Sequence, residues 1–161
     1  MLAYLFWHSP RDPEKMDEYE QRLVAFHTAL QGVVVESAAF RIDQFPFKQA
    51  AGYEDWYLVE DWTALGELNH AAVSGARTAP HDAVAQLVGD GWGGLYRLSR
   101  GRSSAPDHGR WANKPKQETY ESFLDRQEVE SVWQRQLVLG PAAEFFLSGE
   151  PSNARSRIWP R

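Results

Sequence analysis

The sequence predicts an α+β fold in which an antiparallel sheet carries helices on one face. Residues 53–61 alternate with the period of two that a strand requires. Residues 62–88 contain two short helical runs, and residues 93–98 form a returning strand. A strand, a helix and a second strand come before these elements. The resulting order, βαββαβ, is the ferredoxin-like plan.

The first strand and helix of this plan are predicted from residues 2–8 and 13–30. Tyr4, Phe6 and His8 share one face of the strand, and its other face is also apolar, which indicates an interior strand. Asp12 can cap the helix that follows, and proline suits the first helical position because no amide proton is needed there. The inward stripe of this helix has spacings of three and four and comprises Met16, Tyr19, Leu23, Phe26 and Leu30.

The rest of the first half follows from turn residues and periodicity. Residues 36–43 predict the second strand, and the proline-containing segment 45–52 predicts a loop. Ser74 and Gly75 interrupt the helical segment at residues 62–88, and Pro80 begins the second helix of that segment.

The remaining chain repeats part of this order. We predict one helix, at residues 119–127, among strands at residues 110–113, 132–139 and 144–147. Residues 143–148 resemble residues 55–60, because both follow a turn after a strand, and this indicates a partial second ferredoxin-like repeat packed on the first. The tail, residues 152–161, is either a loose arm or a short edge strand. The expected division is a ferredoxin-like domain at 1–98, a basic linker at 99–109 and the second repeat at 110–161.

Composition excludes several classes of site and partner. The 161 residues contain no cysteine, which excludes disulfides, thiolate metal sites and cysteine nucleophiles and favours a cytoplasmic location. No apolar run approaches the roughly 20 residues that span a bilayer. The first residues also lack the pattern of a signal peptide. We therefore expect neither a membrane partner nor secretion.

Charge is distributed unevenly along the chain. Residues 1–96 contain 6 basic and 14 acidic side chains, whereas residues 97–161 contain 11 and 8. The basic linker either contacts a phosphate-bearing partner or is a solvated connection. No nucleic-acid-binding motif accompanies it, so we expect no nucleic-acid partner.

Residues 57–62, together with the histidines and the proline that follow, resemble the antibiotic-biosynthesis-monooxygenase type of dimeric α/β barrel. The matching residues are Glu60, Trp62, Leu65, His70 and His81. The resemblance covers residues 1–98. Residues 74–79 read as an insertion relative to that family, which has no fixed equivalent of residues 110–161.

This resemblance implies a barrel made of two facing sheets, contributed by a homodimer or by fused repeats in a pseudo-dimer. It also implies a cavity between the sheets that receives a small aromatic or polyketide-like molecule, and a monooxygenase that needs no cofactor. In such an enzyme His8 or His70 is the base, and Arg41, Arg97 or Arg135 stabilises an oxyanion.

The residues also permit plainer interpretations. His8 is either a base at a cavity mouth or a histidine hydrogen-bonded at a strand end, and Arg41 points either into a pocket or to solvent. The aromatic candidates for ligand contact can equally form core, and they are Tyr4, Phe6, Trp56, Tyr57 and Trp133.

Other functions follow from these alternatives. The same fold can serve as a noncatalytic ligand-binding or assembly module. Haem binding through His70 or His81 is a third hypothesis. A metal site that joins these histidines to Glu67 or Asp82 is not expected, because the three-residue spacing of Glu67 and His70 is not matched by a second such pair in the chain.

Overall fold

The structure, a computed structural model, describes residues 1–137, 140–149 and 155–160 and confirms the α+β class. Within these residues, eight strands form one antiparallel sheet that curls into a half-barrel, and four α-helices pack on it. Across the described residues, the helices are too short or too polar to cross a membrane. In chain order the elements are β1 (Leu2–Pro10), α1 (Met16–Ala29), β2 (Glu36–Ile42), β3 (Gly52–Val59), α2 (Trp62–Ala71), α3 (Thr78–Ala85), β4 (Val88–Gly101), β5 (Gly109–Ala112), α4 (Tyr120–Asp125), β6 (Ser131–Arg135), β7 (Phe145–Ser148) and β8 (Arg155–Trp159).

Aspartate side chains cap two helical segments, and the first of these caps, Asp12, is predicted from the sequence. Asp12 accepts a hydrogen bond from the backbone N–H of Glu14 at 3.0 Å and begins a short 3-10 turn that leads into α1. Asp61 caps α2 by accepting from the N–H of Ala64 at 2.9 Å. α2 therefore begins at the residue that the sequence indicates, whereas Asp12 caps the 3-10 turn that starts at residue 13 and α1 itself begins at Met16.

The sheet order is β5-β7-β6-β4-β1-β3-β2-β8. In the first half β3 lies between β1 and β2, and in the second half β7 lies between β5 and β6. Both halves therefore show the same pairing after the same β-α-β-β order. The two halves join through β4 and β6, so the sheet continues across the predicted linker.

Strand β4 is longer than the sequence indicated, because its glycines make room for rings on β1. A Cβ atom at Gly91 would lie 2.6 Å from Phe6 Cζ, and one at Gly93 would lie 3.0 Å from the Tyr4 hydroxyl. The Tyr4 and Phe6 rings extend across the neighbouring strand where those side chains are missing. A glycine-rich segment that resembles a turn is therefore a strand.

The structure also decides the form of the tail and the length of β6. Of the two expectations for the tail, the structure has the short edge strand, since β8 pairs with β2. β6 ends at Arg135, earlier than predicted. Residues 138–139 of that predicted strand, and residues 150–154 and 161 of the chain end, lie outside the described residues.

The helix-free face of the first four strands is covered by the second half of the same chain. Trp56 on β3 meets Trp133 on β6 and Phe146 on β7, with ring centroids 5.5 and 5.2 Å apart, and all three side chains are buried. The inward aromatic residues therefore fill the space inside the curled sheet.

Candidate ligand-binding site

A cavity of about 810 Å³ lies between the sheet and the helices α1, α2 and α3. The resemblance noted above predicts a cavity between two sheets, on the opposite face. That side holds packed aromatic rings instead, as the Trp56 contacts show. The helical side stays open because Leu68 is the buried residue of α2, so this helix fills little of the space above β1 and β3. The cavity volume of about 810 Å³ is in the range of small-molecule binding sites.

Buried polar side chains form the floor of the cavity. His8 on β1 and Asp55 on β3 are diagonal neighbours on paired strands, and His8 Nε2 lies 2.9 Å from Asp55 Oδ2. His8 Nδ1 contacts the hydroxyl of Tyr19 on α1. An ionised carboxylate can only accept, so Nε2 carries the proton, and a neutral His8 then accepts the Tyr19 hydroxyl proton at Nδ1. The result is a chain of hydrogen bonds from Tyr19 through His8 to Asp55.

A second histidine faces the same carboxylate. His27 on α1 is buried, and its Nε2 lies 3.4 Å from Asp55 Oδ1 and 3.4 Å from the Tyr57 hydroxyl. The His27 and Tyr57 rings stack with centroids 4.9 Å apart. Tyr57 in turn donates to Asp55 Oδ2 at 2.9 Å. Asp55 is therefore the centre of a network that links α1 to two strands of the sheet.

The electrostatics of the floor follow from this arrangement. Burial by itself would raise the pKa of Asp55, but the facing His8 and His27 outweigh burial and hold that pKa well below its usual range. Burial and the Asp55 charge together raise the pKa of Tyr57 and of Tyr19 well above the usual tyrosine value. Asp55 is therefore a carboxylate at neutral pH, and both tyrosines remain phenols that can donate hydrogen bonds.

The walls of the cavity are apolar, and its mouth is more polar. Leu23 and Phe26 come from α1, and Leu68 and Val84 come from the two helices that face it. Polar side chains that line the cavity from α2 and α3 include Asn69 and His81. Trp62, also part of the lining, is 51% exposed. A flat apolar molecule with one or two polar groups matches this distribution.

Four of the predicted site residues line this cavity: Tyr4, Phe6, His8 and Tyr57. Trp56 and Trp133 lie on the other face of the sheet, in the aromatic core. His70 is exposed on α2 outside the cavity lining, although its neighbour Asn69 belongs to it.

The three predicted arginines lie outside the cavity lining. Arg41 is exposed and pairs with Glu20 on α1, to which its Nε donates at 2.9 Å. Arg97 is exposed on β4. Arg135 donates to the carbonyl of Ala142 at 2.7 Å and so fastens the connection between β6 and β7.

Sequence reasoning missed Asp55 and His27. Both gave a signal: Asp55 is a carboxylate in a strand of large apolar residues, and His27 follows Leu23 by four residues on the inward side of α1. A carboxylate in a buried strand needs partners nearby, but their identity depends on which helix packs there.

The chain was compared with protein-family models, with curated proteins and with solved structures, and none matched. Among the described residues, no three histidine, aspartate or glutamate side chains are placed to hold a metal ion.

Proposed function

We propose that this chain binds a small aromatic or polyketide-like molecule in the helix-side cavity and acts on it as a cofactor-independent monooxygenase. The observation that supports this proposal is the apolar cavity of about 810 Å³ with the Asp55 network at its floor. A flat ligand fits against Tyr4 and Phe6, whose rings line the cavity and extend over Gly93 and Gly91 of β4. The ferredoxin-like repeats and the fused, pseudo-dimeric barrel belong to the same proposal.

The network supplies a route for a proton. A ligand with an acidic phenolic or enolisable group gives its proton to the Tyr19 oxygen while Tyr19 passes its own proton to His8 Nδ1. The ionised Asp55, 2.9 Å from Nε2, stabilises the imidazolium that forms. The deprotonated ligand then supplies the electrons for its own reaction with dioxygen, in which one oxygen atom enters the ligand as a carbonyl and the other leaves as water with the two hydrogens lost from that carbon.

One observation favours a second candidate, a noncatalytic binding module. Both His8 nitrogens already have protein partners, and the residue is 1% exposed. A histidine in this position can be structural, and it then fastens α1 to the sheet while the cavity holds a ligand without changing it.

The two candidates differ in oxygen consumption. Anthrone, an enolisable tricyclic ketone, is the probe, with tryptophan fluorescence for binding and an oxygen electrode for turnover. The monooxygenase proposal expects saturable binding, oxygen uptake and a loss of about 10²–10⁴-fold in rate for His8→Gln. His70→Gln is the matched control, since His70 is exposed outside the cavity, and it keeps the wild-type rate. Binding without oxygen uptake supports the module, and absence of binding contradicts both candidates.

Gly91→Ala tests whether the cavity is where the ligand binds. The new Cβ would lie 2.6 Å from Phe6 Cζ, so the ring has to move, and the cavity is the open space beside it. We expect weaker anthrone binding and a stability loss of about 1 kcal/mol. Fluorescence titration and urea unfolding measure the two effects.

Gly66→Ala is the control for this change. Gly66 is an exposed residue of the cavity lining, and a Cβ atom there has no heavy atom within 4 Å, so no lining side chain has to move. Because Gly66 lies in α2, alanine is expected to stabilise the protein by about 0.5–1 kcal/mol and leave binding unchanged. Equal anthrone affinity in the two variants would contradict the cavity assignment.

A further inference from the structure

The proposed reaction places a negative charge on the ligand, and a group in the cavity has to hold it. Removing a proton beside a ketone sends negative charge onto the carbonyl oxygen and makes an enolate. Among the described residues, no lysine or arginine lines the cavity, and the three predicted arginines lie outside it. A neutral hydrogen-bond donor is the remaining kind of side chain that can hold this oxygen.

Tyr4 is a phenol of the cavity lining whose hydroxyl makes no hydrogen bond to residues 1–137, 140–149 or 155–160. The hydroxyls of Tyr19 and Tyr57 are both used in the floor network. The Tyr4 ring stacks on the Tyr57 ring with centroids 6.1 Å apart. Burial, together with the charge of Asp55, raises the pKa of Tyr4, so its hydroxyl keeps its proton at neutral pH and can donate.

The Tyr4 ring leans along β1 toward His8. Its hydroxyl lies beside Gly93, 3.0 Å from the position of a Cβ atom there, and Gly93 pairs with Phe6. Phe6 is two residues before His8, so the hydroxyl is about 7 Å from His8 along the strand. His8 contacts the Tyr19 hydroxyl at that end. The interval between the Tyr4 and Tyr19 hydroxyls therefore suits one ring of a flat molecule.

We propose that the Tyr4 hydroxyl donates a hydrogen bond to the ketone oxygen of the ligand and stabilises the enolate that forms when Tyr19 takes the proton. This inference rests on the proposed monooxygenase function. It also defines the ligand as a ring ketone whose acidic C–H lies across the ring from the carbonyl. Anthrone has this arrangement, since its carbonyl and its CH₂ group are on opposite sides of the central ring.

The step balances in protons and charge. The C–H bond breaks, its proton goes to the Tyr19 oxygen, and the proton of Tyr19 goes to His8 Nδ1. The C–H electron pair forms the new carbon–carbon double bond, and the carbonyl π pair moves to the oxygen beside Tyr4. His8 becomes an imidazolium next to Asp55 in the same step, so the enolate does not face an unpaired negative charge on the floor. A hydrogen bond to a charged oxygen is stronger than one to a ketone, so Tyr4 acts mainly on the rate.

Tyr4→Phe removes the hydroxyl and keeps the ring. We expect kcat for anthrone oxidation to fall by about 10²–10³-fold, while KM stays within about threefold. The urea midpoint should not change, because the hydroxyl has no partner in the described part of the chain. Tyr120→Phe is the matched control: Tyr120 lies on α4, is exposed and is not in the cavity lining, so this variant keeps the wild-type rate.

A second measurement needs no turnover. 9-Fluorenone is a flat ketone with no acidic C–H, and fluorene has the same rings without the oxygen. We expect Tyr4→Phe to weaken fluorenone binding by about three- to tenfold and to leave fluorene binding unchanged. The infrared carbonyl stretch of bound fluorenone should lie at lower frequency in the wild type than in Tyr4→Phe, because only the wild type donates a hydrogen bond to it.

The two measurements separate this inference from the function on which it rests. If the wild type oxidises anthrone and Tyr4→Phe has the same kcat, the role of Tyr4 is overturned and the monooxygenase stands. If the wild type takes up no oxygen, the monooxygenase proposal fails, and fluorenone alone decides whether Tyr4 holds a ketone oxygen. Equal losses for fluorenone and fluorene, or an unchanged carbonyl stretch, would overturn that assignment.

Discussion

Asp55→Ala is expected to lower the free energy of unfolding by about 3–5 kcal/mol, the cost of removing one partner from a buried charge network. Asp55 is 1% exposed, and His8, His27 and Tyr57 all face its carboxylate. Alanine leaves these buried polar groups without their shared acceptor. Urea denaturation followed by tryptophan fluorescence measures the loss.

The same carboxylate predicts how stability depends on pH. The pKa of Asp55 is lowered in the folded state, because His8 and His27 outweigh the effect of burial. Its contribution is therefore complete above the unfolded aspartate pKa of about 3.9 and is lost as pH falls below that value. Urea midpoints measured from pH 7 down to pH 3 should fall more steeply for wild type than for Asp55→Ala.

Asp43→Ala is the matched control, because Asp43 is an exposed aspartate beyond the end of β2. We expect a change within about 0.5 kcal/mol and the wild-type pH profile. If Asp55→Ala behaved like Asp43→Ala, the network would not be a structural centre of the fold.

Gly101→Ala is expected to lower stability by about 3 kcal/mol or more. Gly101 has φ +94°, and a Cβ atom there would lie 1.9 Å from the Glu130 carbonyl oxygen and 2.6 Å from Ser131 Cα. Both obstacles are backbone atoms, which cannot rotate away. Gly101 pairs with Ser131 where β4 meets β6, so relief requires the two halves of the sheet to separate locally. Urea unfolding monitored by fluorescence and circular dichroism tests this expectation.

Gly32→Ala is the control that separates the effect of the positive φ angle from the effect of the Cβ contact with Glu130. Gly32 has φ +80°, and a Cβ atom there has no heavy atom within 4 Å. Gly32→Ala should lower the free energy of unfolding only by the cost of a left-handed backbone conformation, about 1–2 kcal/mol. Equal losses in the two variants would show that the contact with Glu130 is unimportant.

Most of the helices and strands can be predicted from the sequence, because they depend on contacts between near neighbours. The stripe of α1, the Asp12 cap and the faces of β1 all require only spacing and residue type. Tyr4, Phe6 and His8 were placed on one face for the same reason, and that face lines the cavity. The repeated β-α-β-β order was also visible, since its pattern lies within each half.

Which face of the sheet is filled and which is open depends on packing between segments that are distant in the chain. Alternation assigns Trp56 and Tyr57 to opposite faces, but it cannot tell which of those faces meets Trp133 and Phe146 across the curled sheet. The two histidine partners of Asp55 come from β1 and α1, 47 and 28 positions away in the chain. Such contacts form only when distant segments pack together, so the buried network could not be derived from spacing.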